Sequence, residues 1–202
     1  MATVKEIPAK LVAELRARTG AGMMDCKRAL EEAGGDLEKA ADILRKQNKA
    51  KADKRSGREA AEGLVEAYVH FNGKVGVLVE LNCETDFVAR TDDFRALAKD
   101  LALHIASAAP IAVRVEDVPA DVIAREREIY VAQLAEEQKP EQVKAKIVEG
   151  RLKKFFEERV LLEQKFVKDD KRTIADLVKE LSGKTGESVQ VRRFVRFELG
   201  GN

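Results

Sequence analysis

The sequence predicts an α+β fold, and three observations carry the prediction. Residues 1–45 hold three short runs whose apolar side chains recur at helical spacing. Residues 64–81 hold two alternating runs around Asn72-Gly73, the pattern of a β-hairpin. A further alternating run occupies 189–199, so strands from both ends of a core can share one sheet with helices between them. The expected organisation is a three-helix domain (1–45), a basic helical linker (46–62) and a core (63–202). In that core, helices cover one face of a three-stranded antiparallel sheet.

The elements follow in order. Pro8 suits the first turn of a helix, where a missing N–H costs nothing, and Leu11, Val12 and Leu15 give that helix its stripe. Thr19-Gly20-Ala21-Gly22 ends it. A second helix, from about Met23 to Ala33, carries Met23, Cys26, Ala29 and Leu30 on one side. Gly34-Gly35 closes it, and Asp36 caps a third with Leu37, Ala40, Ala41 and Leu44 inward. From Arg45 to Arg58 the stripe fades under Lys46, Lys49, Lys51, Lys54, Arg55 and Arg58. This reads as a solvated helical linker, frayed near Ser56-Gly57, because charge runs are usually solvated faces. A hairpin follows, with strands 64–71 and 74–81 joined by a two-residue type I′ turn at Asn72-Gly73. Val75, Val77, Val79 and Leu81 share a face.

A helix then starts near Thr91 or Asp92, with Phe94, Leu97, Ala98, Leu101, Ile105 and Ala108 at the 3.6 period, until Pro110 stops it. Another spans roughly 119–137. Pro140 opens a further helical stretch that Gly150 interrupts, and a short helix from Ile174 to Leu181 ends at Ser182-Gly183. The last strand sets Val189, Val191, Arg193, Val195, Phe197 and Leu199 against Gln190, Arg192, Phe194, Arg196 and Glu198.

Composition narrows the function. Of 202 residues, 45% are hydrophobic and 36% charged, yet 37 basic and 36 acidic side chains leave a net charge of only +1. Such balance argues against bulk capture of nucleic acid or anionic membrane. No apolar run is long enough to span a bilayer, and Met1–Glu6 lacks an apolar signal segment. Cys26 and Cys83 fall in different elements and form no ligand cluster. The expectation is a cytoplasmic protein with reduced thiols.

Enzyme signals are poor. No phosphate-cradling glycine motif follows a strand, and Gly20-Ala21-Gly22 reads as a turn after a helix. His70 and His104 have no nearby nucleophile in sequence. Cys83, Glu84 and Asp86, with Asp92 and Asp93, lack a histidine and alternate in direction along an extended segment, so no metal is expected. Paired carboxylates such as Glu31-Glu32 and Glu157-Glu158 sit on charged helix faces. No catalytic residue and no cofactor are expected.

The most informative stretch is Asn82-Cys83-Glu84-Thr85-Asp86-Phe87-Val88, between the hairpin and the next helix. An acidic residue beside a bulky aromatic at a strand exit suits prying something open better than covalent chemistry. Spacing alone leaves two places for Phe87, an exposed wedge or the core beneath the 94–108 helix.

Two long motifs together resemble the elongation factor Ts family. They are Thr19-Gly20-Ala21-Gly22-Met23-Met24-Asp25-Cys26-Lys27 and Asn82-Cys83-Glu84-Thr85-Asp86-Phe87-Val88-Ala89-Arg90. Gly150–Lys154, Phe166–Asp170 and Val191–Phe194 extend the likeness along nearly the whole chain. The resemblance implies a ubiquitin-associated-like start that docks through Thr19, Gly20, Ala21, Gly22, Met23, Met24 and Asp25 on the nucleotide-binding domain of elongation factor Tu, a GTPase. It implies that Asp86 and Phe87, presented by Thr85 and Val88, enter between two helices of that partner and dislodge its Mg²⁺, so that GDP leaves. The chain would be an exchange factor and not an enzyme, with no direct contact to nucleic acid or membrane. It also looks like the short form of the family, with one core where longer members have two related halves. That raises a homodimer, with Phe155, Phe156, Val160, Leu161 and Leu162 either at a two-fold interface or in the monomer core. Rival readings are a ubiquitin-binding module, a nucleic-acid binder resting on the 46–58 basic run, and an enzyme.

Overall fold

The computed structural model describes residues 7–55 and 57–201, apart from the side chain of Lys49. The expectations for Met1–Glu6 and Ser56 lie outside those residues. The fold is α+β, with helices first and a three-stranded antiparallel sheet in the core.

Three helices open it: α1 (Ala9–Thr19), α2 (Met23–Glu32) and α3 (Leu37–Asp53). Gly20, at φ 66°, closes α1 in the left-handed conformation that glycine adopts without a Cβ clash. Asp36 caps α3 by accepting from the N–H groups of Glu38 and Lys39. Val12, Leu15, Cys26, Ala29, Leu30, Ala40 and Leu44 form the small core between them. The expected basic linker is helical as far as Asp53, but it is not wholly solvated. Helix α3 continues eight residues beyond Arg45 and packs on a helix of the core. Ala52 is buried, Asp53 pairs with Lys179 at 2.7 Å, and the Arg55 guanidinium donates to the Ser182 carbonyl. The reason is local: lysines and alanines without Gly or Pro are good helix formers, and alanine lets another helix come close.

The strands are β1 (Glu62–Val69), β2 (Val75–Cys83), β3 (Lys165–Phe166), β4 (Asp169–Thr173) and β5 (Gln190–Glu198). β1, β2 and β5 form the sheet in that order, with β2 central. The β1–β2 turn is longer than the expected two-residue type. His70 N–H donates to the Val75 carbonyl, Gly73 N–H to the His70 carbonyl, and only Gly73 takes a positive φ, so the turn is not type I′. Asn72 instead uses its side-chain oxygen to accept from Lys74 N–H.

β5 carries a bulge at Arg192, because Leu81 opposes Val191 while Glu80 opposes Arg193. The extra residue inverts the alternation. Val191 is buried, but Val195 and Phe197 point outward and Phe194 packs inward, the reverse of the expected pattern beyond the bulge. The short pair β3–β4 has no alternating apolar pattern to announce it; its residues are mostly charged.

The remaining α-helices are α4 (Asp86–Ala89), α5 (Asp92–Ala108), α6 (Ala120–Gln133), α7 (Glu141–Arg159) and α8 (Ile174–Thr185), with a 3-10 turn at Val115–Asp117 between α5 and α6. α5 and α8 cover one face of the sheet through Phe94, Leu97, Leu101, Ile105, Ile174 and Leu177. α7 runs straight through Gly150, and α8 continues through Ser182-Gly183 until Gly186 at φ 79° ends it. Tertiary packing holds α8 where glycine propensity alone argues for a stop: the residue at 183 must be small, since a Cβ there would sit 2.5 Å from the Asn48 Cβ.

His104 is fully buried, with Nε2 2.9 Å from Gln164 Oε1 and Nδ1 accepting from Val167 N–H. Val160 and Leu161 are fully buried, and Phe155, Phe156 and Leu162 pack partly buried against the core clusters of the same chain. Val160 and Leu161 thus belong to the monomer core, while Phe155, Phe156 and Leu162 lie at its margin. The other face of the sheet is uncovered, exposing Val65, Val69, Leu78, Val195 and Phe197. Among the described residues no helix is long and apolar enough to cross a membrane.

Candidate partner-binding site

The segment after β2 is not an extended tip. Thr85 is the N-cap of a one-turn helix, accepting from Val88 N–H through Oγ1, and α4 follows at once. Val88 and Ala89 turn inward to the core, which leaves the two residues before them facing out. Phe87 is 78% exposed. The Asp86 carboxylate pairs with Arg90 at 2.6 Å across an exposed surface. Such a pair is worth about 0–1 kcal/mol, so a partner can redirect that charge at little cost.

The base of this helix is held from several sides. The Cys83 thiol donates to the Thr85 carbonyl at 3.1 Å. Burial first, and then the charge of Glu187, push this thiol up to about 11, so it stays protonated and keeps donating at neutral pH. The Glu187 carboxylate accepts from the N–H groups of Glu84 and Thr85 at 3.1 and 3.0 Å, and from Thr85 Oγ1 at 2.6 Å. In return the Glu84 carboxylate accepts from Ser188 N–H at 2.6 Å and faces Arg58 at 3.4 Å.

The 19–25 segment is the turn from α1 into α2. Thr19 Oγ1 donates to the Leu15 carbonyl and accepts from Ala21 N–H. Ala21 is buried, and its carbonyl lies 3.7 Å from the Cys26 sulfur. Gly22 is the extended residue before α2. Asp25 is engaged inside the chain, by Lys51 at 3.0 Å and by Arg28. Those two bonds, Lys51 first, hold its carboxyl below the usual range. What the segment offers outward is Met23, 47% exposed, and Met24, 65% exposed.

The two segments are joined through one turn of the core. A side chain at Gly20 would collide with the Lys184 side chain, Gly183 lies against Asn48, and Glu187 grips Thr85. Residues 182–188 therefore touch both. Sequence reasoning missed Glu187, Glu84 and Arg58 in these roles. Glu187 is 102 positions from Thr85, and its local signal is the glycine before it, which turns the chain out of α8. Among the described residues, no group of three or more His, Cys, Asp or Glu side chains is arranged to hold a metal.

Residues 28–201 match the family model described as elongation factor TS. Elongation factor Ts of Carboxydothermus hydrogenoformans is 60% identical over 194 residues, covering 96% of this chain and 89% of that protein. Elongation factor Ts of Thermosipho melanesiensis is 57% identical over 194 residues, covering 96% and 99%. That of Thermotoga maritima is 56% identical over 195 residues, covering 96% and 97%. With a family match along most of its length and relatives this similar from end to end, the chain belongs to the elongation factor Ts family.

Proposed function

We propose that the chain is a guanine-nucleotide exchange factor for elongation factor Tu in translation elongation. It binds the GDP-bound GTPase, disturbs its Mg²⁺ and lets GDP leave so that GTP can load. One observation carries this reading: an aromatic residue, Phe87, stands 78% exposed on a one-turn helix clamped at its base, beside an acidic residue held only by a surface pair. A ring left in water on a rigid support gains by entering a pocket elsewhere.

Exchange breaks no covalent bond, so no catalytic residue is needed. The factor must bind the nucleotide-free GTPase more tightly than the GDP form, and GDP weakens the factor by the same ratio. Weakening by several decades takes roughly 4–7 kcal/mol of differential binding. Burying Phe87 supplies about 1.5–3 kcal/mol of it. Mg²⁺ bridges phosphate charge to the GTPase, so moving it supplies more. The Thr19–Asp25 segment docks on the nucleotide-binding domain, chiefly through Met23 and Met24, and positions the wedge.

The chain acts as a homodimer in the cytoplasm, without nucleic acid or membrane. Support for the dimer comes from the uncovered sheet face, where Val65, Val69, Leu78, Val195 and Phe197 form an apolar patch that a second copy could cover. Sedimentation of the wild type and of Phe197→Asp checks it; a 22 kDa species alone at micromolar wild type refutes it. The function itself is checked by mixing the chain with elongation factor Tu carrying fluorescent GDP, in excess unlabelled nucleotide. Substoichiometric chain should speed release many-fold; unaltered release overturns the proposal.

A further inference from the structure

We infer that Glu187 is the positioning residue of the exchange tip, holding Thr85-Asp86-Phe87-Val88 at the angle that lets Phe87 enter the partner. This rests on the exchange reading above and names a residue outside the tip on which it depends.

The geometry points to Glu187 for three reasons. Its two oxygens take three donors of the two residues that lead into α4, Glu84 and the N-cap Thr85: Glu84 N–H, Thr85 N–H and Thr85 Oγ1. α4 is one turn long and its cap is Thr85, so an outside acceptor that fixes Thr85 and the residue before it sets the direction in which the chain enters the helix. Charge-assisted bonds of this kind are shorter and stronger than neutral ones. Second, Glu187 is itself fixed. The chain leaves α8 through Gly186, the Glu187 carbonyl accepts from Ser182 Oγ at 2.5 Å, and its N–H points at Thr185 Oγ1. Third, the link is reciprocal. Glu84 reaches back to Ser188 N–H, so the two chain segments hold each other at two successive residues. Glu187 reaches none of Asp86, Phe87 or Val88 through a described hydrogen bond, so it acts through Thr85.

The test uses the full chain as wild type, Glu187→Ala, Glu187→Gln, Glu187→Asp and Phe87→Ala. In the free chain, amide hydrogen exchange of Glu84 and Thr85 is read first. In Glu187→Ala it should speed up roughly ten- to hundredfold, the range lost with charge-assisted hydrogen bonds, while the Val77 and Val79 amides in the centre of β2 stay as protected as before. Glu187→Gln keeps an acceptor for both N–H groups and should restore protection. Glu187→Asp falls one methylene short and should behave as Glu187→Ala, so it carries the test should the alanine variant fail to fold.

With elongation factor Tu and fluorescent GDP, Glu187→Ala should lower the maximal release rate roughly tenfold or more and move the half-saturating concentration less than about threefold, because the 19–25 docking segment is intact. Glu187→Gln should recover most of the rate. Unchanged protection of Glu84 and Thr85 in Glu187→Ala overturns the inference whatever the partner does. So does a wild-type maximal rate in Glu187→Ala when Phe87→Ala is slow. If Phe87→Ala also releases GDP at the wild-type rate, the exchange reading itself falls, while the amide protection still decides by itself whether Glu187 holds the tip.

Discussion

The 85–88 helix and the 19–25 turn both push apolar side chains into water, but they do so on different supports. Phe87 rides on a turn pinned by Glu187, Thr85 and the Cys83 thiol. Met23 and Met24 open a helix of a bundle whose core has few large side chains. A stiff ring transmits force to what it enters; flexible thioethers mould themselves to a surface. Under the exchange function proposed above, the contrast amounts to a division of labour between lever and grip, which kinetics would separate.

The sharpest way to break the comparison is Phe87→Ala. Losing about 1.5–3 kcal/mol of burial in the partner should slow maximal GDP release roughly ten- to hundredfold. The melting temperature should hardly move, since the ring makes little of the chain's own core. Stopped-flow release and calorimetry read the two together. Met23→Ala with Met24→Ala should do the opposite. About 1–2 kcal/mol of association is lost, raising the half-saturating concentration while the maximal rate survives. A fall in maximal rate with unchanged half-saturation would merge the two roles.

Acid separates the core from the three-helix bundle by stability. Burial holds His104 below its ordinary 6.5, so the folded core prefers it neutral. The unfolded chain takes up the proton first, and core stability declines as pH falls from about 6.5 through the lower folded value, by at most about 1.4 kcal/mol per pH unit. His104→Gln should flatten that slope in denaturant titrations. The bundle answers lower down. Asp25 is held below its usual 3.8 by Lys51 and Arg28, so its contribution is present above that value and fades only as pH drops through the depressed one.

The smallest expected effect is a control outside both regions. Gly150 lies inside α7 with nothing near its missing Cβ, so Gly150→Ala should raise stability by about 0.5–1 kcal/mol and leave both kinetic constants alone.

Much of this was legible in the chain and some was not. Helical stripes at Leu11–Leu15 and Phe94–Ile105 and the alternation of β2 declared their elements, because one buried face imposes its period on the residues. Gly150 and Ser182-Gly183 misled, because a helix packed against neighbours tolerates what an isolated one does not. β5 misled beyond Arg192, since a single inserted residue leaves no mark on composition yet turns every later side chain over. Thr85 to Val88 stood out as a motif, whereas the carboxylate that grips its base comes from a distant helix end. Distance in sequence, not weakness of the interaction, hid it.

The shared turn at 182–188 bears on how freely this chain can be rearranged. Grafting the first three helices from a relative, or trimming them away, would leave Gly183 and Lys184 facing unmatched neighbours and would disturb Glu187, three residues on, which steadies Thr85. Chimeras that exchange residues 7–53 should therefore retain activity only when the closing stretch of α8 is carried over with them, so that inheritance of the two parts is tied.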